Sequence, residues 1–357
     1  MLIIYKNDSK EEFLKRWNEY INNNLSSYKY TILNLEYFLL YSKYLIYDKS
    51  FIVIENNKCV GICFLPIEET KRIVTVSISD GYVFLPLSTE KRIEKEIFKE
   101  IEKICVEYKI QKVNFSIDPL ILEYKDKFNT LLEYGFVDTS TTDCLIDLKL
   151  EEQDLWKNLR KSYKALINSI LKNDEFEIVI IDKDNIYYKL HELYRELHAK
   201  CAGSATRVKE TFDKQFEMLE NDNASLIGLK LNGNFIGFNY FFHFQKTVIY
   251  ASGADDPEYE NSKIPIYHVI LWNAIKYYKE RGFDFMEFSQ PCGYNKVNGF
   301  NDYLDEKQIN ISHFKRGMGT KMVPAFRGIK YFNKSLLLDD VDKFKEKVEK
   351  LGDINLI

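Results

Sequence analysis

The stretch Asn-Gly-Asn-Phe-Ile-Gly at residues 232–237 separates two apolar runs. A similar stretch, Asn-Asn-Lys-Cys-Val-Gly, occupies residues 56–61, which is 176 positions earlier. Asn and Gly tolerate the positive φ that a tight turn requires, so both stretches predict a β-hairpin. In each copy the final Gly falls inside the second strand, where we expect a β-bulge.

The offset of 176 residues continues beyond the hairpins. In the second copy, apolar runs predict strands at 224–231, 234–244 and 247–252, a helix at 265–281 and a strand at 284–289. Pro265 opens this helix and Gly282 follows it, which are typical start and stop signals. In the first copy the offset predicts a helix at 90–105 and a strand at 112–117. The predicted helix has an apolar stripe of Ile93, Ile97, Ile101 and Ile104.

Three strands, a helix and a strand therefore occur twice in the same order. This is the core order of the GCN5-related N-acetyltransferase (GNAT) fold. The sequence predicts a mixed α/β protein with tandem GNAT-like domains, whose mixed central sheets are flanked by helices. We place the first domain at 1–150, a linking helix at 151–172, and the second domain, with a C-terminal helix, at 173–357. The alternative is a chance self-alignment around one hairpin.

Composition excludes several classes of protein. A chain of 357 residues is too long for one ordinary core, which favours two domains. The net charge of −4 argues against binding nucleic acid through bulk charge. Neither a signal peptide nor an apolar stretch long enough for a membrane span is evident, so we expect a cytoplasmic protein. The six cysteines are scattered and predict neither a zinc site nor any other metal site.

The linking segment 151–172 has apolar residues at helical spacing, which predicts one amphipathic helix. Lys157, Arg160, Lys161 and Lys164 would then lie on one side of it. Such a stripe suits a phosphate-rich ligand, with Arg160 and Lys164 as candidates for the diphosphate of a nucleotide-linked acceptor. A solvated surface face is the alternative.

A second cationic feature lies near the C-terminus, in His-Phe-Lys-Arg-Gly-Met-Gly-Thr-Lys at 313–321. Residues 308–313 alternate in polarity and predict a strand, so Lys315 would stand at a strand end beside flexible glycines. This arrangement suits an anionic ligand or a developing oxyanion, with the amides of Gly317 and Gly319 assisting. A surface lysine at a strand end is the alternative.

The chain resembles the FemAB/FemX family at several ordered segments. Leu-Trp-Lys-Asn-Leu-Arg-Lys-Ser at 155–162 is similar to the start of that family's linking helix. Tyr-Ala-Ser-Gly-Ala-Asp at 250–255, Phe-Met-Glu-Phe at 285–288 and Phe-Lys-Arg-Gly-Met-Gly at 314–319 resemble its later motifs. The resemblance covers about 150–332 well and the first half only in outline.

The resemblance implies a tandem GNAT fold and transfer of an aminoacyl or acyl group. The family's best-known members move an amino acid from aminoacyl-tRNA to an amine of a peptidoglycan precursor, and relatives act in surface-glycan synthesis. Two departures are Glu-Phe-Ser-Gln at 287–290, where Asp-Phe-Gly-Gly is usual, and Met318, where an aromatic residue is common. No heptad-patterned insertion for a coiled-coil arm is evident, so a tRNA acceptor stem would have to bind without one.

Acyl transfer to an amine needs oxyanion stabilisation, proton acceptance and close positioning. Lys315 is the first candidate for the oxyanion. Asp255, at a strand end, could take the amine proton or hold an ammonium group, unless it only forms a turn. Glu287, in an apolar strand, is either paired with a cation or directed into the cleft. The resemblance adds substrate-binding candidates: Tyr250, Tyr294, Phe314, Gly317 and Gly319.

The donor stays open between aminoacyl-tRNA and acyl-CoA, and neither is a permanently bound cofactor. The stretch 253–264 lacks the glycine-rich cationic turn that holds a CoA diphosphate and carries four carboxylates against Lys263. This argues against ordinary CoA binding in the second domain. The expected acceptor is a nucleotide-linked or peptidoglycan-type amine, and the remaining alternatives are an acyl-CoA-dependent N-acyltransferase and a non-catalytic binding protein.

Overall fold

The computed structural model of the protein describes residues 1–121, 128–291 and 306–349. Its α-helices are α1 Lys10–Asn23, α2 Ile32–Tyr41, α3 Lys91–Glu107, α4 Glu152–Asn158, α5 Lys161–Leu171, α6 Tyr188–Ala202, α7 Lys209–Glu220, α8 Ile266–Glu280, α9 Glu306–Gly317 and α10 Lys334–Glu349. Short 3₁₀ turns lie at Tyr28–Tyr30, Thr130–Tyr134 and Pro257–Ser262.

The strands form three sheets. Their bounds are β1 Leu2–Tyr5, β2 Leu45–Asp48, β3 Phe51–Glu55, β4 Lys58–Cys63, β5 Pro66–Thr70, β6 Ile73–Val76, β7 Val83–Phe84, β8 Leu87–Ser88, β9 Lys112–Ser116, β10 Val137–Asp138, β11 Thr141–Asp147, β12 Phe176–Ile181, β13 Ala224–Leu231, β14 Asn234–Phe244, β15 Thr247–Asp255, β16 Phe285–Glu287, β17 Lys321–Ala325 and β18 Arg327–Tyr331.

The sheets mix parallel and antiparallel pairs, as the predicted fold class requires. One sheet has the order β1-β3-β4-β8, and a second has β10-β18-β9-β6-β5-β2 with β7 also paired to β9. The third runs β12-β13-β14-β15-β16-β11-β17. The parallel pairs are β6 with β9, β7 with β9 and β15 with β16.

Both predicted hairpins form, and they match residue by residue. Positive φ occurs at Asn56 and Asn57 in one turn, and at Asn232 and Gly233 in the other. Such a turn suits the right-handed twist of the flanking strands. The register shifts once in each hairpin, leaving one extra residue directly before Gly61 and directly before Gly237. The predicted bulges are therefore confirmed, at the same offset of 176.

Each of these glycines lets a helix approach its strand. A Cβ on Gly61 would lie 2.7 Å from Cδ1 of Ile97 on α3, and a Cβ on Gly237 would lie 2.6 Å from Cγ2 of Ile266 on α8. The helix predicted in each copy is thus present and packs at the matched position. The second half contains two clusters of buried hydrophobic side chains, one beneath α8 and one beneath α6 and α7.

The two halves of the chain exchange strands between their sheets. Strand β11, which precedes residue 150, lies between β16 and β17 in the third sheet. Strand β18, near the C-terminus, lies between β9 and β10 in the second sheet. The domain bounds at 150 and 172 stay a prediction, and the exchanged strands tie the halves together through backbone hydrogen bonds.

Two sequence predictions of secondary structure are wrong. Residues 308–313 belong to α9 and not to a strand, so Lys315 lies in the last turn of a helix. The linking segment forms two helices and not one, because Leu159 and Arg160 have extended backbone, with ψ values of 144° and 137°. The cations at 157, 160, 161 and 164 therefore do not lie along a continuous helical stripe.

Candidate active site

The candidate site begins where two parallel strands separate. β15 pairs with β16 only from Thr247 opposite Phe285 to Ile249 opposite Glu287. β15 then continues to Asp255 while it remains paired with β14 on its other edge. Because β16 ends there, the edge of β15 from Tyr250 onward faces an opening among the described residues.

A cleft of about 640 Å³ occupies this opening. Its lining is mostly apolar and aromatic, with a few charged groups, which is the usual make-up of a small-molecule site. The lining residues are Tyr250, Tyr267, Glu306, Lys307, Asn310, Ile311, Phe314 and Lys315. Three sequence candidates, Tyr250, Phe314 and Lys315, are thereby brought together.

Lys315 is half-buried on the α9 wall of the cleft. Its Nζ donates a hydrogen bond of 2.6 Å to the main-chain carbonyl of Gln290, which follows β16. The ammonium group is therefore held near the end of β16, where the strands separate. Phe314 lies beside it and packs edge-on against His268 of α8, with ring centres 5.0 Å apart.

The two glycines after Lys315 permit close packing. A Cβ on Gly317 would collide with the ring of Tyr163, and one on Gly319 would lie 3.2 Å from Cβ of Asn158. Gly319 has a φ of +83°, which favours glycine. Its N–H already donates to the carbonyl of Arg316 at 3.4 Å. These glycines fit α9 against the linking segment, and the Gly319 amide is engaged inside the chain.

The linking segment reaches the same region through Arg160. Its backbone N–H donates to the carbonyl of Gly317 at 2.9 Å, and its guanidinium lies 5.3 Å from the ring centre of Tyr163. Lys164 lies farther along α5 and donates to the carbonyl of Lys157 at 2.9 Å. Of the two predicted phosphate ligands, only Arg160 is in direct contact with the segment that follows Lys315.

Asp255 supports the cleft from behind its wall. Its Oδ1 accepts a hydrogen bond of 2.6 Å from the hydroxyl of Tyr267, which lines the cleft. Burial, followed by the Asp255 carboxylate, raises the pKa of the Tyr267 hydroxyl well above its usual value. The neighbouring Asp256 caps a 3₁₀ turn and pairs with Lys200 at 2.6 Å, so it serves the loop.

Glu287 is buried and paired, which is one of the two possibilities that the sequence left open. Lys29 lies 3.4 Å from Glu287 and 3.0 Å from Asp118. Burial raises the pKa of Glu287 well above its usual range, and the adjacent Asp143, with which it hydrogen-bonds, adds to this. Burial disfavours the charged form of Lys29, but the facing carboxylates hold its pKa well above normal.

This charged cluster borders a second cavity, of about 300 Å³, between the two halves. Lys29, Asp143, Gln290, Tyr82 and Arg327 are among its lining residues. Gln290 links the two cavities, because it lines the interface cavity and its carbonyl accepts the Lys315 hydrogen bond. The cavity between the halves, here called the interface cavity, and the cleft thus lie on either side of the Lys315–Gln290 hydrogen bond.

Several residues of this region were not predicted from the sequence. Tyr267, Asn310 and Ile311 line the cleft, and Lys29, Asp118 and Asp143 surround Glu287. The sequence around Tyr267, Asn310 and Ile311 gave no local signal of a site, and the charged cluster gathers residues from four distant parts of the chain. Tyr294, a predicted substrate ligand, lies outside the described residues.

Two negative findings apply to the described ranges. Within residues 1–121, 128–291 and 306–349, no group of three or more His, Cys, Asp or Glu side chains is arranged to hold a metal ion. In the same part of the chain, every helix is too short or too polar to cross a lipid bilayer.

Comparison with known proteins agrees with the fold. Residues 157–296 match the family model described as the acetyltransferase (GNAT) domain. None of the curated proteins matches the sequence. The structure resembles the crystal structure of FemX, with a TM-score of 0.65 and 12% identity, over 91% of this chain and 97% of that one.

Two further solved structures share the fold. One is the C-terminal domain of a putative lysylphosphatidylglycerol synthetase from Agrobacterium fabrum, with a TM-score of 0.60, 10% identity, and coverage of 98% of this chain and 100% of that one. The other is L-PGS from Bacillus licheniformis, with a TM-score of 0.57, 10% identity, and coverage of 94% and 96%. The predicted resemblance is confirmed for the architecture: the tandem GNAT-like fold of this chain is similar to that of FemX.

Proposed function

We propose that the protein is an acyltransferase that moves an aminoacyl or acyl group onto an amine of a peptidoglycan precursor or another surface-glycan precursor. The observation that carries this proposal is the cleft at the β15–β16 opening, with Lys315 held at its inner end. Support also comes from the GNAT acetyltransferase match over 157–296 and from the FemAB/FemX-like motifs.

The reaction requires little covalent chemistry from the protein. The acceptor nitrogen attacks the donor's carbonyl carbon, a C–N bond forms, and the ester or thioester bond breaks. One proton leaves the nitrogen and ends on the departing oxygen or sulfur. Most of the rate gain in such a reaction comes from positioning and from stabilising charge on the carbonyl oxygen.

Lys315 is the group that we assign to the oxyanion. Its ammonium group lines the cleft and is held in place by its hydrogen bond to the carbonyl of Gln290, so its positive charge would lie beside a carbonyl oxygen bound there. Burial along the α9 wall strengthens the interaction because water screens it less. Asp255 is assigned to the amine proton, which it reaches through the hydroxyl of Tyr267.

The acceptor is assigned to the interface cavity. Lys29 lines it but is paired with Asp118 and Glu287, so we assign Arg327 to an anionic part of the acceptor and Asp143 to its amine. An acceptor amine that passes Gln290 would arrive beside Lys315, because these two residues are hydrogen-bonded. The donor would occupy the cleft, and the reacting end of the acceptor would occupy the cavity. Glu287 then acts behind the cavity wall, where it is paired with Lys29.

The donor has two candidates. The GNAT acetyltransferase match favours acyl-CoA. The acidic stretch at 255–260 argues against acyl-CoA, since Asp255, Asp256, Glu258 and Glu260 would repel a diphosphate there, so aminoacyl-tRNA bound elsewhere stays the second candidate. Lys200 neutralises part of this charge through Asp256 and Glu258, but it lies on α6 and is engaged.

A transfer assay with mass detection of the acceptor tests the proposal. The purified protein is incubated with acetyl-CoA, longer acyl-CoAs or aminoacyl-tRNA, each combined with UDP-linked muropeptides or UDP-linked amino sugars. Amide formation on any of these amines supports an acyltransferase, and the productive donor decides between the two candidates. Absence of transfer from every donor, in protein whose melting curve shows a folded state, would favour a non-catalytic binding protein.

A further inference from the structure

Two carboxyl groups from different halves of the chain meet at the wall of the interface cavity. Asp143 lies in β11, the strand that the first half contributes to the third sheet, and Glu287 ends β16 of the second half. Leu145 pairs with Glu287, so Asp143 is a diagonal neighbour of Glu287 on the same face of the sheet. The two side chains hydrogen-bond to each other, and Asp143 is the one that lines the cavity.

A hydrogen bond between these two groups requires a proton on one of them, because a carboxylate can only accept. Burial raises the pKa of Glu287 well above its usual range. Asp143 accepts a hydrogen bond of 2.7 Å from the backbone N–H of Cys144, which favours its charged form. Burial also raises the pKa of Asp143, which makes it a stronger base than an exposed aspartate. The arrangement favours one proton on Glu287 and one negative charge on Asp143.

The surrounding charges are consistent with this state. Lys29 lies 3.4 Å from Glu287 but is shared with Asp118 at 3.0 Å, so it does not neutralise both carboxyl groups of the pair. Lys315 favours the charged form of Asp143. The charged and titratable groups around the pair are Tyr28 and Lys29 of the first 3₁₀ turn, Asp118 after β9, Cys144 of β11, Lys315 of α9, and Tyr82 and Arg327 across the cavity.

An amine acceptor needs a base before the transfer begins. At neutral pH an alkyl amine is an ammonium ion, which has no lone pair to attack a carbonyl carbon. The proton that it loses before the attack is distinct from the one assigned to Asp255, which leaves the nitrogen during the transfer. Asp143 faces the cavity to which the reacting end of the acceptor is assigned.

We propose that Asp143 and Glu287 share one proton, and that Asp143 is a catalytic base that removes a proton from the acceptor ammonium before the attack. The proton moves from the nitrogen to the carboxylate of Asp143, and the freed lone pair forms the C–N bond. The pair releases the proton to water after the product leaves. Glu287 is a positioning residue, because it acts through Asp143. This inference rests on the proposed function and deepens it at the acceptor site.

Infrared titration of the full-length protein tests the shared proton without any ligand. A protonated carboxyl group has a C=O stretching band that a carboxylate lacks. The wild type should keep such a band at pH 7, and Glu287→Gln, whose amide can still donate to Asp143, should lack it. In Asp143→Asn the band should titrate at lower pH, because the neighbouring negative charge is gone.

Identical carboxyl bands at pH 7 in the wild type and Glu287→Gln would overturn the shared proton, whatever reaction the protein performs. If Glu287→Gln fails to fold, then Asp143→Asn decides, and an unshifted band overturns the shared proton.

The pH dependence of kcat/KM tests the catalytic base, with a donor and an acceptor found by the transfer assay. Asp143→Asn should lower kcat/KM at pH 7 about 10²-fold, as expected for loss of a general base. The deficit should shrink as the pH rises towards about 10, where an alkyl amine loses its proton in solution. Asp147→Asn is the matched control, because Asp147 lies on the same strand but is paired with Lys149 and half-buried. Its profile should equal that of the wild type.

The outcomes separate the base from the proposed function. A loss of activity in Asp143→Asn that is equal at every pH would indicate a structural role and overturn the base, while the proposed function stands. Wild-type protein that transfers from no donor would overturn the proposed function and the base together.

Discussion

The two halves of the molecule use one structural module for different purposes. In both, a hairpin with an Asn-containing turn, a bulge and a glycine against a helix recur at an offset of 176. In the second half, β14 is continuous over Asn234–Phe244. In the first half the matching stretch is divided into β4 and β5, and β5 begins at Pro66. Proline lacks the N–H that a continuous central strand needs, which explains the division.

The main difference between the halves lies where a short parallel strand pair ends, β15 with β16 in the second half and β6 with β9 in the first. In the second half β15 and β16 separate after Ile249, and the cleft occupies the opening. In the first half β6 pairs with β9 up to Val76, and β7 then pairs with the rest of β9 at Phe115 and Ser116. The short strand β7 thus fills the place that is open in the second half. The same module therefore makes a scaffold in one half and a candidate site in the other.

The largest expected effect is on activity, from Lys315→Ala. Loss of the ammonium group that we assign to the oxyanion should lower kcat/KM about 10²- to 10³-fold, the usual effect of losing one oxyanion donor. The melting temperature should change little, because Lys315 lies on the surface of a cleft. Steady-state kinetics with the productive donor and acceptor give the comparison.

Two controls sharpen this test. Arg316→Ala changes the adjacent cation, which is exposed and contacts Ser312 and His313. Lys91→Ala changes a lysine at the start of α3, the helix that matches α8 in the first half. Both should retain wild-type kcat/KM within about twofold, in line with the small effects of surface charges. A Lys315→Ala enzyme as active as these controls would remove the assigned role.

The matched glycines give the next largest effect. Gly237→Ala should lower the free energy of unfolding by about 2 kcal/mol, since overpacking typically costs 1–3 kcal/mol and Cγ2 of Ile266 is close to the backbone. Gly61→Ala should cost about 1 kcal/mol, because it meets Cδ1 of Ile97, the mobile end of a side chain. Urea titrations measure both values.

Activity separates the two glycine variants further. Displacement of α8 by Gly237→Ala would move Tyr267, so kcat/KM should fall in this variant and stay unchanged in Gly61→Ala. Equal losses of activity in both would mean that the first half is more than a scaffold. If both variants kept the stability and activity of the wild type, then the close contacts of Gly61 and Gly237 with α3 and α8 would not hold these helices in place.

The sequence was most informative where a residue's role is local. Turns with Asn and Gly, the bulge glycines and the apolar stripe of the 90–105 helix each depend on neighbouring residues, and the structure confirms them. The resemblance placed Tyr250, Phe314 and Lys315, which the structure brings into one cleft.

The predictions that were wrong, and the features that were not predicted, depend on tertiary contacts. Residues 308–313 alternate between polar and apolar, as in a strand, yet they form the helix whose Ile311 and Phe314 line the cleft. The apolar spacing in 151–172 stays helical across the break at Leu159, so periodicity gave no warning of it. The exchanged strands β11 and β18 and the Lys29 cluster join residues far apart in the chain, which no local pattern specifies.

A pH effect should also distinguish the halves. In the second half, α6 buries His191, and within the described residues neither of its ring nitrogens has a partner. Burial lowers the pKa of His191 from 6.5 to about 4. The offset of 176 places α6 opposite helix α1 in the first half. Helix α1 instead buries Trp17, whose Nε1 donates to the carbonyl of Tyr30 at 2.7 Å. A neutral buried histidine is an acid-sensitive element that α1 does not contain.

The sign of the effect follows from proton binding. Between pH 6.5 and 4 the unfolded chain binds a proton at His191 and the folded chain does not, so the free energy of unfolding falls as pH falls. At pH 5, protonation of His191 in the unfolded chain lowers the free energy of unfolding by about 2 kcal/mol. His191→Phe, which suits the aromatic neighbours Tyr194 and Phe216, should lose correspondingly less stability between pH 7.5 and pH 5. Parallel stability curves for the two proteins over this range would contradict the assignment.

The smallest expected effect concerns the linking segment between the two halves. The exposed guanidinium of Arg160 lies 5.3 Å from the ring centre of Tyr163, and its backbone N–H donates to the carbonyl of Gly317. The Lys164 ammonium already donates to a carbonyl. Arg160→Ala should therefore weaken binding of a UDP-linked acceptor about threefold, and Lys164→Ala should change it less, as expected for exposed charges. The difference should vanish at 0.5 M salt, where such interactions are screened. Equal weakening by Lys164→Ala and Arg160→Ala would contradict this expectation. The two cations would then bind the acceptor together, despite the break between α4 and α5. In that case the acceptor site would extend along α5, beyond the opening that distinguishes the second half from the first.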